Sequence, residues 1–376
     1  MSSYKNSDSM DAELKRRLSS IFSNCKNTDA LLLVNTEQQD PNFRYLTRFK
    51  SGVFEDDMLI AKRKGIELFT SELEYETAMQ QKLEGMKIIK IDKRNEENVR
   101  KTLGNELKGK VIGINGNFMP AGAYLRTRKK YKPKKILDAS ECFAKARLVK
   151  SEEEIRAIDK AANITRKALQ KIPKYFKEGM TELQLSKKFD ELSAELGSEK
   201  PSFDSIVSFG KNAALPHHMP DNTRLKRGDI VLIDVGAVVQ GYCSDMTRTF
   251  IFGKDQRYSK EKEIFEVVKK AQELAIQSMK PGAKGSDVDK AARSYIDTVY
   301  NGKYKGTFIH SLGHSVGLEV HDGYALYPGS KVVLKEGMVF TAEPGVYVVG
   351  FGGARIEDDV LITKEGPRLL GRGELG

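Results

Sequence analysis

The sequence predicts a two-domain α/β (α+β) chain. A smaller mixed α/β domain over residues 1–140 precedes a pseudo-duplicated domain over residues 141–376, in which two helix pairs back one curved antiparallel sheet. Three observations predict it. The first 140 residues alternate apolar runs of strand length with helix-like stretches. The remainder runs twice through the same order: helix pair, His-bearing segment, strands. At 376 residues, 39% apolar and 31% charged, the chain is globular and long enough for two cores.

In the first domain an amphipathic helix covers Asp11 to Ser23. The runs Ala30–Val34, Asp57–Ala61, Ile66–Thr70, Met86–Ile91 and Lys110–Ile114 have strand length, and Glu96–Glu106 reads as a helix between the last two. Helices between strands imply a partly parallel sheet, and no catalytic constellation lies here. The boundary falls near Asp138 to Lys150.

Beyond it, Ser151 with Glu154 forms a capping box, each side chain satisfying an orphaned N–H, and Ile155, Ile158, Ala162 and Leu169 follow on one helical face. Thr181 with Gln184 starts a second helix the same way, to about Leu196. The repeat opens at Ser259, buries Ile264, Val267, Val268, Ala271, Leu274 and Ala275, and closes at Pro281-Gly282. Ser286 with Asp289 begins the fourth helix, to about Tyr300. Asp234 and Glu343 occupy corresponding places in the two halves.

Composition narrows the class. Residues 1–11 are polar and lack the apolar stretch of a signal peptide, and no apolar run approaches the roughly 20 residues that span a bilayer. Cys25, Cys142 and Cys243 are odd in number, far apart and without a CxxC pair, which argues against a disulfide framework and for a reducing compartment. The sequence therefore reads as cytoplasmic, with no membrane partner. Net charge is +11, densest over residues 126–135, where seven of ten are Lys or Arg. Interspersed Asp and Glu elsewhere favour a solvated face over a phosphate-binding patch, so no nucleic-acid partner is expected.

The chemistry concentrates between residues 217 and 357, where all five histidines lie. Asp234 and Asp245 sit in apolar strands flanking a turn around Val239-Gln240. Pairing 238 with 241 sets Asp234 opposite Asp245, with Cβ atoms about 5 Å apart. Glu343 and Glu357 straddle a Gly-rich turn whose midpoint is Gly350. Four carboxylates facing one another in apolar strands cannot all ionise without cations. Two divalent ions balance them, and His314 is the natural nitrogen donor. Carboxylates with one imidazole suit Mn, Co, Zn or Fe. His218 reads as a loop residue, and Cys243, though it shares parity with Asp245, as packing.

The motifs Leu215-Pro-His217-His, Ile233-Asp234-Val-Gly, Ser244-Asp245-Met-Thr-Arg, His310-Ser-Leu-Gly-His314-Ser-Val-Gly-Leu, Val320-His321-Asp322, Glu343-Pro-Gly-Val-Tyr347 and Arg355-Ile-Glu357-Asp resemble those of the pita-bread metallopeptidases. Essentially the whole chain is similar to the prolidase (Xaa-Pro dipeptidase) and aminopeptidase P branch. That resemblance implies a pita-bread catalytic domain behind the family's N-terminal domain. It also implies hydrolysis of the bond preceding proline by a hydroxide bridging two metals. On it, Asp234 chelates one metal, His314 and Glu343 the other, and Asp245 and Glu357 bridge them. Glu343 moves the proton, His321 and His217 serve catalysis and contact substrate, and His310 contacts substrate. Thr247 and Arg355 orient the ligands from behind. The partners implied are a proline-containing di- or oligopeptide and a second copy in a homodimer.

One departure bears on substrate length. Several prolidases carry an Arg shortly after the equivalent of His321, but here Asp322-Gly-Tyr-Ala-Leu-Tyr327 follows. Without it, an Xaa-Pro aminopeptidase acting on longer peptides is the alternative. A binding protein on the same fold that has lost catalysis is the reading from another class, and five intact ligand positions speak against it.

Overall fold

The structure, a computed structural model, describes residues 10–253 and 260–372. The chain divides into two compact units, residues 1–147 and 148–376.

In the first unit Asp11 caps α1 (Ala12–Asn24) by accepting from the Leu14 N–H, and Leu14, Leu18 and Ile21 bury one face. Then follow β1 (Ala30–Val34), α2 (Pro41–Thr47), β2 (Met58–Lys62), β3 (Gly65–Ser71), α3 (Tyr75–Gln80), β4 (Met86–Ile91), α4 (Glu96–Leu107), β5 (Val111–Ile114), α5 (Ala121–Tyr131), β6 (Lys135–Asp138) and α6 (Ser140–Leu148). The sheet order is β4-β3-β2-β1-β5-β6. β3–β4, β1–β5 and β5–β6 are parallel and the other pairs antiparallel. Val99, Leu103 and Leu107, at helical spacing on α4, pack with Leu32, Ile60, Phe69 and Ile112 of the sheet. The cysteine reading is overturned here: Cys25 and Cys142 form a disulfide across 117 residues. Sequence separation conceals this, because the fold brings the end of α1 to α6. In the chain-entropy picture a loop of that length is worth about 4–5 kcal/mol. Cys243 alone remains a thiol.

The second unit runs α7 (Glu152–Lys171), α8 (Glu182–Glu195), β7 (Ile206–Phe209), β8 (Ile230–Val235), β9 (Val238–Val239), β10 (Tyr242–Cys243) and β11 (Met246–Ile251), then α9 (Lys260–Ser278) and α10 (Gly285–Gly302). It ends with β12 (Gly313–His314), β13 (Ala325–Leu326), β14 (Val339–Ala342), β15 (Gly345–Val348), β16 (Gly352–Arg355), β17 (Asp358–Thr363) and β18 (Gly366–Leu369). The capping boxes at Ser151/Glu154 and Thr181/Gln184 form as expected. The Ser259 start lies outside the described residues. The Ser286/Asp289 box does not form: α10 begins after Lys284, and Asp289 turns instead to Arg293, 2.7–2.8 Å away. The helix backbone breaks at Val299, and Tyr300 and Asn301 are left-handed.

Two cores match the two halves. One packs Ile155, Ile158 and Leu169 of α7 and Leu185, Phe189 and Leu192 of α8 on Val231, Ile233 and Val235 of β8. The other packs α9 and α10 on Phe340, Ala342, Val360 and Ile362. Among the described residues no helix is long and apolar enough to cross a membrane.

The first hairpin corrects the expected register. Val239 pairs with Tyr242 and Val238 with Cys243, so Asp234 faces Thr247 rather than Asp245. The turn sits one residue later than expected, on Gln240 (φ 51°) and Gly241 (φ 77°), both left-handed as a type I′ turn demands. A two-residue displacement preserves parity, so Asp234 and Asp245 still share a face. In the second hairpin Ala342 pairs with Asp358 and Gly345 with Arg355, which places Glu343 opposite Glu357.

Candidate active site

The two hairpins lie side by side. The Glu357 N–H donates to the Thr247 carbonyl (3.1 Å), the Thr249 hydroxyl to the Arg355 carbonyl (2.8 Å), and the Asp245 N–H to Asp359 Oδ2 (3.1 Å). This seam brings Asp234, Asp245, Glu343 and Glu357 to one pocket of roughly 310 Å³, which His217, His310, His314, His321 and Arg355 also line. Thr247 stands behind it.

His314 arrives on β12, held against β14 by its own N–H donating to Thr341 Oγ1 (3.0 Å). Gly313 permits that approach, since a Cβ there would lie 2.1 Å from the Thr341 carbonyl oxygen. His314 Nδ1 is 3.0 Å from the Val320 carbonyl, which assigns the proton to Nδ1. Nε2 is left with its lone pair toward Asp245 Oδ2 (3.5 Å) and Glu343 Oε1 (3.4 Å).

Asp234 and Glu357 share a pattern: one oxygen held, the other open. Asp234 Oδ2 accepts from Arg355 Nη2 (2.6 Å) and Glu357 Oε2 from the Thr247 hydroxyl (2.7 Å). Asp234 Oδ1, Asp245 Oδ1 and Glu357 Oε1 are buried without a hydrogen-bond partner. Donor atoms of Asp245, His314 and Glu357 lie within 4.8 Å of one another. Burial and then repulsion from Asp234 and Glu343 push the Asp245 carboxyl well up; burial and Asp245 do the same to Glu357. Burial lifts Glu343 to about 7 against the pull of His314 and Arg355. Open buried oxygens, one aimed imidazole and carboxyls that resist ionising alone are what a divalent-cation site requires.

Around this cluster the histidines differ. Arg355 Nη1 donates to the Tyr347 hydroxyl (2.7 Å), which lies 2.8 Å from His310 Nε2, while His310 Nδ1 lies 2.8 Å from the Ser311 carbonyl. Both ring nitrogens of His310 are thus engaged within the protein. Burial, helped by Arg355, lowers His310 to about 4. The His321 ring lies 4.1 Å from that of His314, tilted by 44°, and burial followed by His314 lowers His321 to about 4. Cys243 packs in the core, where burial raises its thiol to about 12.

Sequence reasoning missed Asp359 and underused Tyr347. Asp359 is fully buried, holds the Asp245 N–H, and is pushed up to about 8 by burial. It sits two residues beyond Glu357, so strand parity alone points it toward the seam. Tyr347, in the Glu343-Pro-Gly-Val-Tyr347 motif, links Arg355 to His310.

Fold and site together define a metal-dependent hydrolase with its centre in a duplicated α/β unit. Comparison with known proteins names the lineage. Residues 156–364 match the model of metallopeptidase family M24, and residues 22–149 that of the creatinase/prolidase N-terminal domain. The chain is 36% identical to the Xaa-Pro dipeptidase of Pyrococcus horikoshii, over 98% of this chain and 99% of that one. It superposes on an Xaa-Pro dipeptidase from Bacillus anthracis with TM-score 0.85 and 31% identity, covering 96% and 98% of the two chains. With an X-Pro aminopeptidase from Thermotoga maritima the TM-score is 0.82 and identity 29%, covering 93% and 97%. The chain belongs to metallopeptidase family M24.

Proposed function

We propose that this chain hydrolyses the peptide bond preceding proline in Xaa-Pro dipeptides. In this reading Asp234, Asp245, His314, Glu343 and Glu357 hold two divalent cations, drawn from Mn, Co, Zn and Fe by the donor set. The observation that carries it is the convergence of three open carboxylate oxygens and the His314 lone pair on one pocket. When bound, the metals supply a water of lowered pKa and polarise the scissile carbonyl.

The remaining work falls to the side chains. Glu343, lining the pocket beside His314, takes a proton from the attacking water and passes it to the departing proline nitrogen. His321, kept neutral by burial, donates a hydrogen bond to the charge developing on the carbonyl oxygen. His217 contacts the substrate beside the scissile bond. Arg355 and Thr247 fix Asp234 and Glu357 in place.

A second reading, cleavage of longer peptides after the first residue, is favoured by one observation. Among the described residues lining the pocket, Arg355 is the single Lys or Arg, and it is committed to Asp234, Tyr347 and Thr247. No guanidinium there is left to grip a dipeptide's carboxylate. The test is turnover of an Xaa-Pro dipeptide against an Xaa-Pro-Xaa tripeptide with Mn or Co, and again with chelator. Metal-dependent release of the first residue is expected. A fully metal-loaded protein that cuts neither peptide sinks both readings, and the rate ratio decides between them. The resemblance also implies a homodimer, measurable by light scattering.

A further inference from the structure

Outside the metal pocket, one buried acid has more partners than any packing role needs. Glu182, the first residue of α8, is fully buried. Its Oε1 accepts from the Phe209 N–H (2.7 Å) and Asn212 Nδ2 (2.9 Å). Its Oε2 lies 2.7 Å from His218 Nε2 and accepts from the Asp221 N–H (3.0 Å). The four acceptor positions of a carboxylate are thereby filled. All four donors lie between residues 209 and 221, the segment that carries His217 into the pocket. That segment has little framework of its own: a 3-10 turn over Gly210–Ala214, then backbone bonds from the Leu215 N–H to Asn212 and from the His218 N–H to Leu215.

We infer that Glu182, with His218 as its partner, is a positioning residue that sets His217 for catalysis. A carboxylate stripped of water is costly unless its hydrogen bonds are replaced, and here the replacements come from the one segment that needs holding. His218 faces Glu182 while its neighbour His217 lines the pocket, so the clamp acts through a single peptide link. Glu182, His218 and Asp221 are close enough to suggest a second metal site. The geometry argues otherwise: both Glu182 oxygens face backbone and amide N–H donors, which present positive charge where a cation would sit. The inference rests on the substrate-contacting role proposed for His217.

A double-mutant cycle on metal-loaded full-length protein tests it. Glu182→Gln turns one end of the clamp into an NH₂ group facing donors. It is expected to lower kcat/KM on an Xaa-Pro dipeptide about 10–100-fold, the range seen when a group that orients a metal ligand is removed. In a His217→Ala background the same change is expected to cost less than about 2-fold, because the clamp has nothing left to position. His218→Ala should follow Glu182→Gln, and His218→Gln, which restores a donor to Oε2, should recover most of the loss. Equal losses in both backgrounds, or no loss in folded Glu182→Gln, overturn the inference. If Glu182→Gln fails to fold, the His218→Ala cycle decides alone. Hydrogen exchange at the Asp221 amide reads the clamp without catalysis: exchange should accelerate in His218→Ala, and an unchanged rate overturns the inference even if native protein cuts no Xaa-Pro peptide.

Discussion

The two hairpins of the catalytic unit share a plan but divide the labour differently. Laid on one another by register, Asp234 falls on Glu343, Thr247 on Glu357, and Asp245 on Arg355. At the first position both halves supply a carboxylate. At the other two, a carboxylate in one half meets a hydroxyl or a guanidinium in the other. Those exceptions reach across the seam: Thr247 of the first hairpin holds Glu357 of the second, and Arg355 of the second holds Asp234 of the first. Duplication supplies the geometry. Divergence limits the buried negative charge and braces each half's acid from the opposite half.

If the braces work this way, removing one should loosen metal in the half it does not belong to. Arg355→Lys keeps the charge but loses the fork that joins Asp234, Tyr347 and Thr247. It is expected to weaken Mn affinity and kcat/KM about 10–100-fold. Thr247→Val removes one hydrogen bond to a charged oxygen, worth about 1.5–3 kcal/mol, and should cost roughly 10-fold or more, with Thr247→Ser close to native. Calorimetric Mn titration checks both. Unaltered affinity in folded Arg355→Lys would show the brace to be structural only and break the comparison.

The sequence made the second hairpin legible and the first only partly so. Gly350 marks the true midpoint between Glu343 and Glu357, and the flanking pairs follow from it. In the first hairpin the turn expected at Val239-Gln240 falls one residue early, because the apolar run through Val238 and Val239 does not mark where the strand ends. Only the requirement for two left-handed residues, met at Gln240-Gly241, selects the register. Both capping boxes of the first helix pair were readable, since an N-cap is a local device. Ser286 does not cap α10, because Asp289 has a stronger partner in Arg293, one that no cap pattern reveals. The Cys25–Cys142 bridge, the Asp359 support and the Glu182 clamp depend on contacts between distant segments, and residue spacing carries no record of them.

The charge argument has its own test, intermediate in size. Glu343 titrates near 4.5 when exposed and near 7 when buried, and Asp245 and Glu357 shift upward as well. The folded metal-free protein therefore binds more protons than the unfolded chain across this window. Its stability should be greatest below about pH 4.5 as far as these groups contribute, and that contribution should be lost as pH rises toward 7. Metal-loaded protein, with the carboxylates neutralised by cations, should not show this decline. Thermal melts of both forms between pH 5 and 7.5 measure the difference. Parallel profiles would mean that the carboxyls do not depend on cations for their burial.

The smallest expected effect bears on the turns. Gly241 (φ 77°) closes a two-residue loop, whereas Gly350 (φ 79°) sits in the three-residue loop between Val348 and Gly352. Alanine in the left-handed region costs about 1 kcal/mol, and the longer loop has more torsions over which to spread it. Gly241→Ala should therefore lower stability by about 1 kcal/mol in denaturant titration, and Gly350→Ala by less. Neither should change kcat/KM, because the ladder from Asp234–Thr247 to Ile230–Ile251 holds the first register without help from its turn. Should Gly241→Ala abolish Mn binding while the protein stays folded, the turn rather than the ladder would be setting the register. Asp234 would then have slid opposite Asp245, and the exchange of roles between the two hairpins would depend on a single left-handed glycine.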